Sequence, residues 1–178
     1  MSTLTDEDRA RMTKLVTETE QQAAMEMVAI HEASHAIAYW HFADGKEHFP
    51  EDVILTLIWD AGHLKGCCST PLLPARPNAI KSIAGIVGES VITLEGTPTA
   101  EQFREFSGSD FEIPVTDPVA IEWAAQKKEL ATEAAEILLA NFQRVQAVAN
   151  VLIREGAVGR RLFRSAMLLQ EPATAINS

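Results

Sequence analysis

Two histidines four residues apart, with a glutamate directly after the first, form the segment of this sequence that most clearly indicates chemistry. The segment reads His31-Glu32-Ala33-Ser34-His35. Side chains at positions i and i+4 of an α-helix lie on one face, one turn apart, so the two imidazoles can converge on one metal ion. Zinc binds imidazole nitrogens in tetrahedral sites, and its catalytic sites keep one position for water. The spacing therefore predicts that His31 and His35 bind Zn²⁺.

Glu32 has a different predicted role, because it lies about 100° around the helix from His31. That direction keeps its carboxylate away from the metal but close to a water bound there. In HExxH peptidases a carboxylate in this position is the general base, which takes a proton from the water that attacks a peptide carbonyl. Glu32 is therefore the predicted catalytic residue, and Zn²⁺ is the predicted cofactor.

Two imidazoles do not complete a zinc site of this kind, so a third protein ligand is required. The sequence offers three acidic candidates: Glu89 in a predicted helix, Asp110 at the end of a Ser-Gly-Ser-Asp turn, and Asp117 before Pro118. Asp117 is the weakest candidate of the three, because its position at a predicted helix start next to Pro118 already accounts for an aspartate there. The remaining histidines fit poorly, since they fall on the far side of the helix or in polar turns: His41, His48 and His63.

The elements that must position these residues are mostly helical. The first helix is predicted over 5–44, with capping-box spacing at Thr17 and Glu20 and with apolar residues on more than one side, which is typical of a buried central helix. Gly156 is predicted to end a long later helix. The predicted strands are 53–59 and 64–70, joined by a turn, and the other predicted helices are 78–94, 100–106, 117–154 and 160–169. The predicted fold class is mainly α with a small two- or three-stranded β element.

The composition is that of an ordinary folded domain. The chain has 178 residues, of which 47% are hydrophobic and 22% charged, so we predict one domain over 1–178. Its net charge of −10 argues against nucleic acid or anionic lipid as a partner. No apolar run is long enough to cross a membrane, and no secretion signal is evident. The adjacent Cys67 and Cys68 are unsuited to a disulfide, so we expect a cytoplasmic protein.

Four segments in a fixed order carry a resemblance to a known family. They read AIHEASHA at 29–36, ILTLIW and LKG within 54–66, IAGIVGESVI at 83–92, and SGSDF at 107–111. This ordered set resembles the zinc peptidase domain of FtsH, a membrane-anchored metalloprotease family linked to an AAA ATPase. The resemblance covers about residues 17–164 and leaves 1–16 and 170–178 peripheral. It implies a zincin-like, mainly α architecture.

The resemblance also implies a role for each site residue. His31 and His35 match the zinc ligands, Glu32 matches the catalytic base, and Asp110 matches the third ligand. Glu89 matches a helix glutamate that holds a ligand imidazole in place without touching the metal. A turn that ends in Asp110 can present its carboxylate to a neighbouring helix, and its small preceding residues permit a close approach.

The chain departs from the family at several points. Ser34 stands where the family has glycine, Ile86 stands where it has arginine, and no GxxxxGK[ST] phosphate loop is present. We therefore expect a stand-alone hydrolase, a zinc metalloendopeptidase that cleaves peptides or unstructured segments without ATP. One alternative is an inactive peptidase-like module that docks to a partner. Another is a helical structural protein with an incidental HExxH sequence. Assembly into a homo-oligomer stays open.

Overall fold

The computed structural model describes residues 6–43, 54–61, 63–93 and 119–168. These residues form a mainly helical fold with a small three-stranded antiparallel sheet, which confirms the predicted fold class. The helices are α1 (Asp6–Phe42), α2 (Ala75–Gly88) with a π-helical turn (Glu89–Thr93), α3 (Val119–Ala140), α4 (Phe142–Glu155) and α5 (Arg160–Leu168). The strands are β1 (Ile54–Asp60), β2 (His63–Ser69) and β3 (Ala157–Val158).

Helix α1 carries the HExxH segment, and its two halves have different surroundings. The described side chains between 14 and 23 are exposed, whereas residues 32–39 are all buried. The buried half packs against α2, α4 and β2, so the predicted central helix is confirmed for the part that carries the motif. The capping box predicted at Thr17 is wrong, because α1 begins at Asp6 and passes through Thr17 without a break.

The sheet is built around β1. It pairs with β2 through a tight connection in which Asp60 faces His63, and Ala61 has a positive φ of 49°. On its other side β1 pairs with β3, where Leu55 faces Val158. Among the described residues the strand order is β2-β1-β3, which leaves β2 at an edge of the sheet. The short β3 was not predicted as a strand, since two residues carry no alternating pattern.

Helix α2 begins three residues earlier than the sequence predicts. Pro77, one residue before the predicted start, lies in the first turn of α2, where a helix does not need the backbone N–H that proline lacks. The Asn78 N–H donates to the Pro74 carbonyl at 2.9 Å and begins the helical hydrogen-bond pattern. At its other end the helix widens into the π-helical turn that starts at Glu89.

The helix predicted over 117–154 is divided in two at Asn141. The side-chain amide of Asn141 donates to the Ile137 carbonyl at 2.8 Å, and this local bond competes with the continuation of the helix. The predicted end at Gly156 is confirmed. Gly156 adopts a φ of 71°, in the left-handed region that favours glycine, and its N–H donates to the Leu152 carbonyl at 2.8 Å.

The buried apolar side chains form a single cluster that includes residues from all five helices and from β1 and β3. In the part of the chain that the structure describes, no helix is both long and apolar enough to cross a membrane. The predicted helix over 100–106 lies outside the described residues. The largest fully buried side chains of the core are Phe163, Ile37, Leu55, Ile80, Ile83, Leu138 and Leu152.

Candidate metal centre

The two histidines of the HExxH segment face each other on the buried half of α1. Their ring centroids are 4.7 Å apart and the rings are almost perpendicular, with an interplanar angle of 76°. The Nε2 atom of His31 lies 3.0 Å from the Nε2 atom of His35. The helical spacing predicted this convergence, and the contacts on the far side of each ring fix its direction.

Both Nδ1 atoms point at oxygen acceptors on α2 and its π-helical turn. His35 Nδ1 lies 2.7 Å from the backbone oxygen of Lys81, and a carbonyl oxygen can only accept, so this nitrogen carries a proton. His31 Nδ1 lies 2.6 Å from Glu89 Oε1 and donates to that carboxylate. With hydrogen at Nδ1, a neutral imidazole has its lone pair at Nε2. Both rings therefore present acceptor nitrogens toward the same point.

Two lone pairs 3.0 Å apart repel each other unless a proton or a metal cation lies between them. Nitrogens bound to one tetrahedral zinc ion at its usual bond lengths are about 3.3 Å apart. Backing of the ligand imidazoles by a carboxylate and by a backbone carbonyl is also typical of zinc sites. The residues present therefore fit a zinc ion held by His31 and His35.

Glu32 is buried, with 6% of its surface exposed, and its carboxylate faces β2. A Cβ atom at Gly66 would overlap the Glu32 carboxylate, so the absence of a side chain at this point of β2 makes room for the glutamate. Gly66 thus fixes the distance between the edge strand and Glu32.

A second glycine allows α2 to lie against the HExxH helix. A Cβ atom at Gly85 would overlap the imidazole of His31. One turn further along, Glu89 is buried, with 7% of its surface exposed, and reaches His31 from the start of the π-helical turn. Glutamate side chains are commonly exposed to solvent, whereas the side chain of Glu89 is buried. Its carboxylate occupies the position from which a residue orients a ligand imidazole.

The predicted third ligand is not tested by the residues that the structure describes. Within them, no group of three or more His, Cys, Asp or Glu side chains is arranged to hold a metal ion. The predicted ligand Asp110 and the alternative Asp117 lie outside the described residues, as does His48. His41 packs its ring against Phe42, and His63 is exposed at the start of β2.

A pocket of about 330 Å³ opens beside Glu32 and His35, at the low end of the size range for ligand-binding clefts. The sequence did not single out the side chain of Lys81, which extends from α2 into this pocket. Burial lowers the pKa of Lys81, and the neighbouring Cys68 partly opposes that effect. The other residues that line the pocket are Gly66, Cys67, Cys68, Thr70 and Ser82.

Neither a protein-family model nor a curated protein matches this chain. The arrangement of side chains in the centre, rather than a relative, is therefore what bears on its function.

Proposed function

We propose that this protein is a zinc metallopeptidase with the architecture of an FtsH-like peptidase domain, and that it cleaves peptides or unstructured segments. One observation carries the proposal. The imidazoles of His31 and His35 converge at Nε2 while both Nδ1 atoms donate to oxygen acceptors. If the two histidines were an incidental pair on a helix, their Nδ1 atoms would not need a buried glutamate and a backbone carbonyl as acceptors.

Each residue of the centre has a distinct part in the proposed mechanism. His31 and His35 hold the metal, and Asp110 is the proposed third ligand. Zinc in such a site polarises the scissile carbonyl and lowers the pKa of water. Glu32 takes a proton from the attacking water and returns it to the departing amine. Glu89 keeps the His31 ring in the tautomer and orientation that metal binding needs.

The position of β2 supports an extended peptide as the substrate. In the described sheet β2 pairs with β1 alone, and its residues Gly66 and Cys67 line the pocket beside Glu32. The unpaired side of an edge strand can add an extended peptide as a further strand. A compact folded protein does not offer such a segment, which fits our proposal of unfolded substrates and of activity without ATP.

We further propose a cytoplasmic location. Neither Cys67 nor Cys68 is in a disulfide, and both line the pocket, where oxidation of an exposed thiol would alter the site. A reducing compartment protects such thiols.

Hydrolysis of an unstructured, fluorogenic peptide tests the proposal. Zinc-loaded wild-type protein should cleave it, a chelator should abolish cleavage, and added Zn²⁺ should restore it. The matched control is Glu32→Gln, which keeps the size of the side chain but removes the base. It should retain zinc and lose about 10²–10⁴-fold in kcat. If Glu32→Gln cleaves as fast as wild type, or if zinc-loaded wild type cleaves no unstructured substrate, the proposed activity is wrong.

A further inference from the structure

Lys81 brings a positive charge into the pocket of the candidate centre. Its side chain lines the same cavity as Glu32 and His35, and its backbone oxygen accepts the hydrogen bond from His35 Nδ1. Lys81 therefore meets the centre twice: its side chain lines the pocket, and its backbone oxygen holds the imidazole of His35, a proposed metal ligand. Any ligand that reaches Glu32 through this pocket passes within the field of that charge.

No carboxylate among the described residues forms an ion pair with the Lys81 ammonium. Its hydrogen bond is to a neutral group, the hydroxyl of Thr70, at 3.1 Å. Two exposed lysines of the described residues differ in this respect, since Lys65 pairs with Asp60 and Lys14 pairs with Glu18. A partly buried ammonium that has only a hydroxyl for a partner retains donors for an anion.

The surroundings of Lys81 suit a small anion. Thr70 and Ser82 line the pocket; the Thr70 hydroxyl accepts from Lys81, whereas the Ser82 hydroxyl donates to the Asn78 carbonyl at 2.9 Å. Among the described residues of the lining Glu32 is the acidic one, and its carboxylate is directed at Gly66 on β2. A carboxylate that entered would meet the Lys81 ammonium and the Thr70 hydroxyl, and such charge-assisted hydrogen bonds are among the stronger polar contacts. The overall charge of −10 makes this positive site unusual for the chain.

We infer that Lys81 binds a carboxylate of the substrate, so that the pocket selects peptides with an acidic group next to the bond that is cleaved. This inference rests on the proposed function. The carboxylate is either an aspartate or glutamate side chain or the free C-terminus of the peptide, and both have the same chemistry.

Peptide binding measured on the Glu32→Gln variant tests the inference without turnover. The probes are short fluorescent alanine-rich peptides that carry one Glu, or Gln at the same position, with either a free or an amidated C-terminus. Fluorescence anisotropy should show the Glu peptide, the free-acid peptide, or both, bound about tenfold or more tightly than the neutral amide. The form that shows the preference identifies the source of the carboxylate.

The preference should vanish with Lys81→Met and reverse in favour of the neutral Gln amide with Lys81→Glu, whereas Lys65→Met on the exposed face of β2 should leave it unchanged. A purely structural Lys81 would not reverse the preference. Equal binding of all four peptides by folded protein would overturn the inference. A Lys81-dependent preference without cleavage by zinc-loaded wild type would refute only the proposed peptidase. Cleavage that ignores the carboxylate would refute only this inference.

Discussion

The hydroxyl of Ser34 occupies the space that the Cβ atom of an alanine at position 88 would need. Gly88 on α2 therefore accommodates the serine of the HExxH segment, and Ser34 Oγ donates to the Ile30 carbonyl at 2.7 Å. The two helices keep their close contact because the larger residue on α1 faces the smaller one on α2. This relationship makes the HExxH helix sensitive to small changes on α2.

Gly88→Ala should destabilise the protein through overpacking against Ser34. The expected cost is about 1–3 kcal/mol in the free energy of unfolding, which exceeds the gain of about 1 kcal/mol from better helix propensity. Ser34→Gly in the same chain should recover most of it. Urea denaturation of both single variants and the double variant measures the coupling. Gly159→Ala is the control, because a Cβ there meets nothing within 4 Å. Additive effects of Ser34→Gly and Gly88→Ala would show that the two residues do not compete for space.

Gly66→Ala should impair turnover and leave the metal in place. The new methyl group would overlap the Glu32 carboxylate and displace it, and a shift of about 1 Å in a catalytic group can cost about 10²-fold in rate. The measurements are kcat for an unstructured peptide and zinc content by atomic absorption. Unchanged kcat in this variant would mean that Glu32 either tolerates the displacement or is not the base.

Glu89 should affect metal affinity without being a ligand. Its carboxylate accepts from His31 Nδ1 at 2.6 Å, and loss of such a partner costs about 10–100-fold in affinity for the metal. Glu89→Ala should show that loss in a competition titration against a chromophoric chelator. Glu89→Gln should lose less, because its amide oxygen can still accept from the imidazole. Complete loss of zinc in Glu89→Ala would instead make Glu89 a ligand.

Asp110→Ala should yield largely metal-free protein, because removal of one of three protein ligands abolishes tight binding. Asp117→Ala is the matched control, since it removes the alternative acidic candidate and should keep its zinc. The readout is zinc per folded chain after gel filtration, with circular dichroism to verify the helices. A zinc-loaded Asp110→Ala together with a zinc-free Asp117→Ala would exchange the two assignments.

The fold was predictable where the pattern is long or strongly marked. The apolar periodicity around His31 indicated the buried half of α1, and Gly156 marked the end of α4 because its left-handed conformation favours glycine. The break at Asn141 was not predictable from periodicity, since the apolar pattern continues through it, whereas a local side-chain hydrogen bond to the Ile137 carbonyl is present at the break. Two-residue β3 depends on long-range pairing with β1, which local sequence does not encode.

The candidate site was predictable where spacing alone defines geometry. Helical spacing alone predicts that the imidazoles of His31 and His35 lie close together. It does not predict the acceptor of the His35 Nδ1 hydrogen, because that acceptor is a backbone oxygen and any residue could supply it. The closeness of Gly66 to Glu32 had only a weak signal, a glycine inside a strand pattern. The position of Lys81 in the pocket depends on how α2 docks, and so it required the structure.

Zinc stoichiometry tests the central claim most directly. Wild-type protein, loaded with Zn²⁺ and passed through gel filtration, should retain about one zinc per chain, as single-site centres do. The double variant His31→Ala, His35→Ala should retain almost none while keeping its helical circular dichroism. His41→Ala, on the same helix but with its ring against Phe42, should behave like wild type. Stoichiometric zinc in the folded double variant, or none in the loaded wild type, would contradict the account.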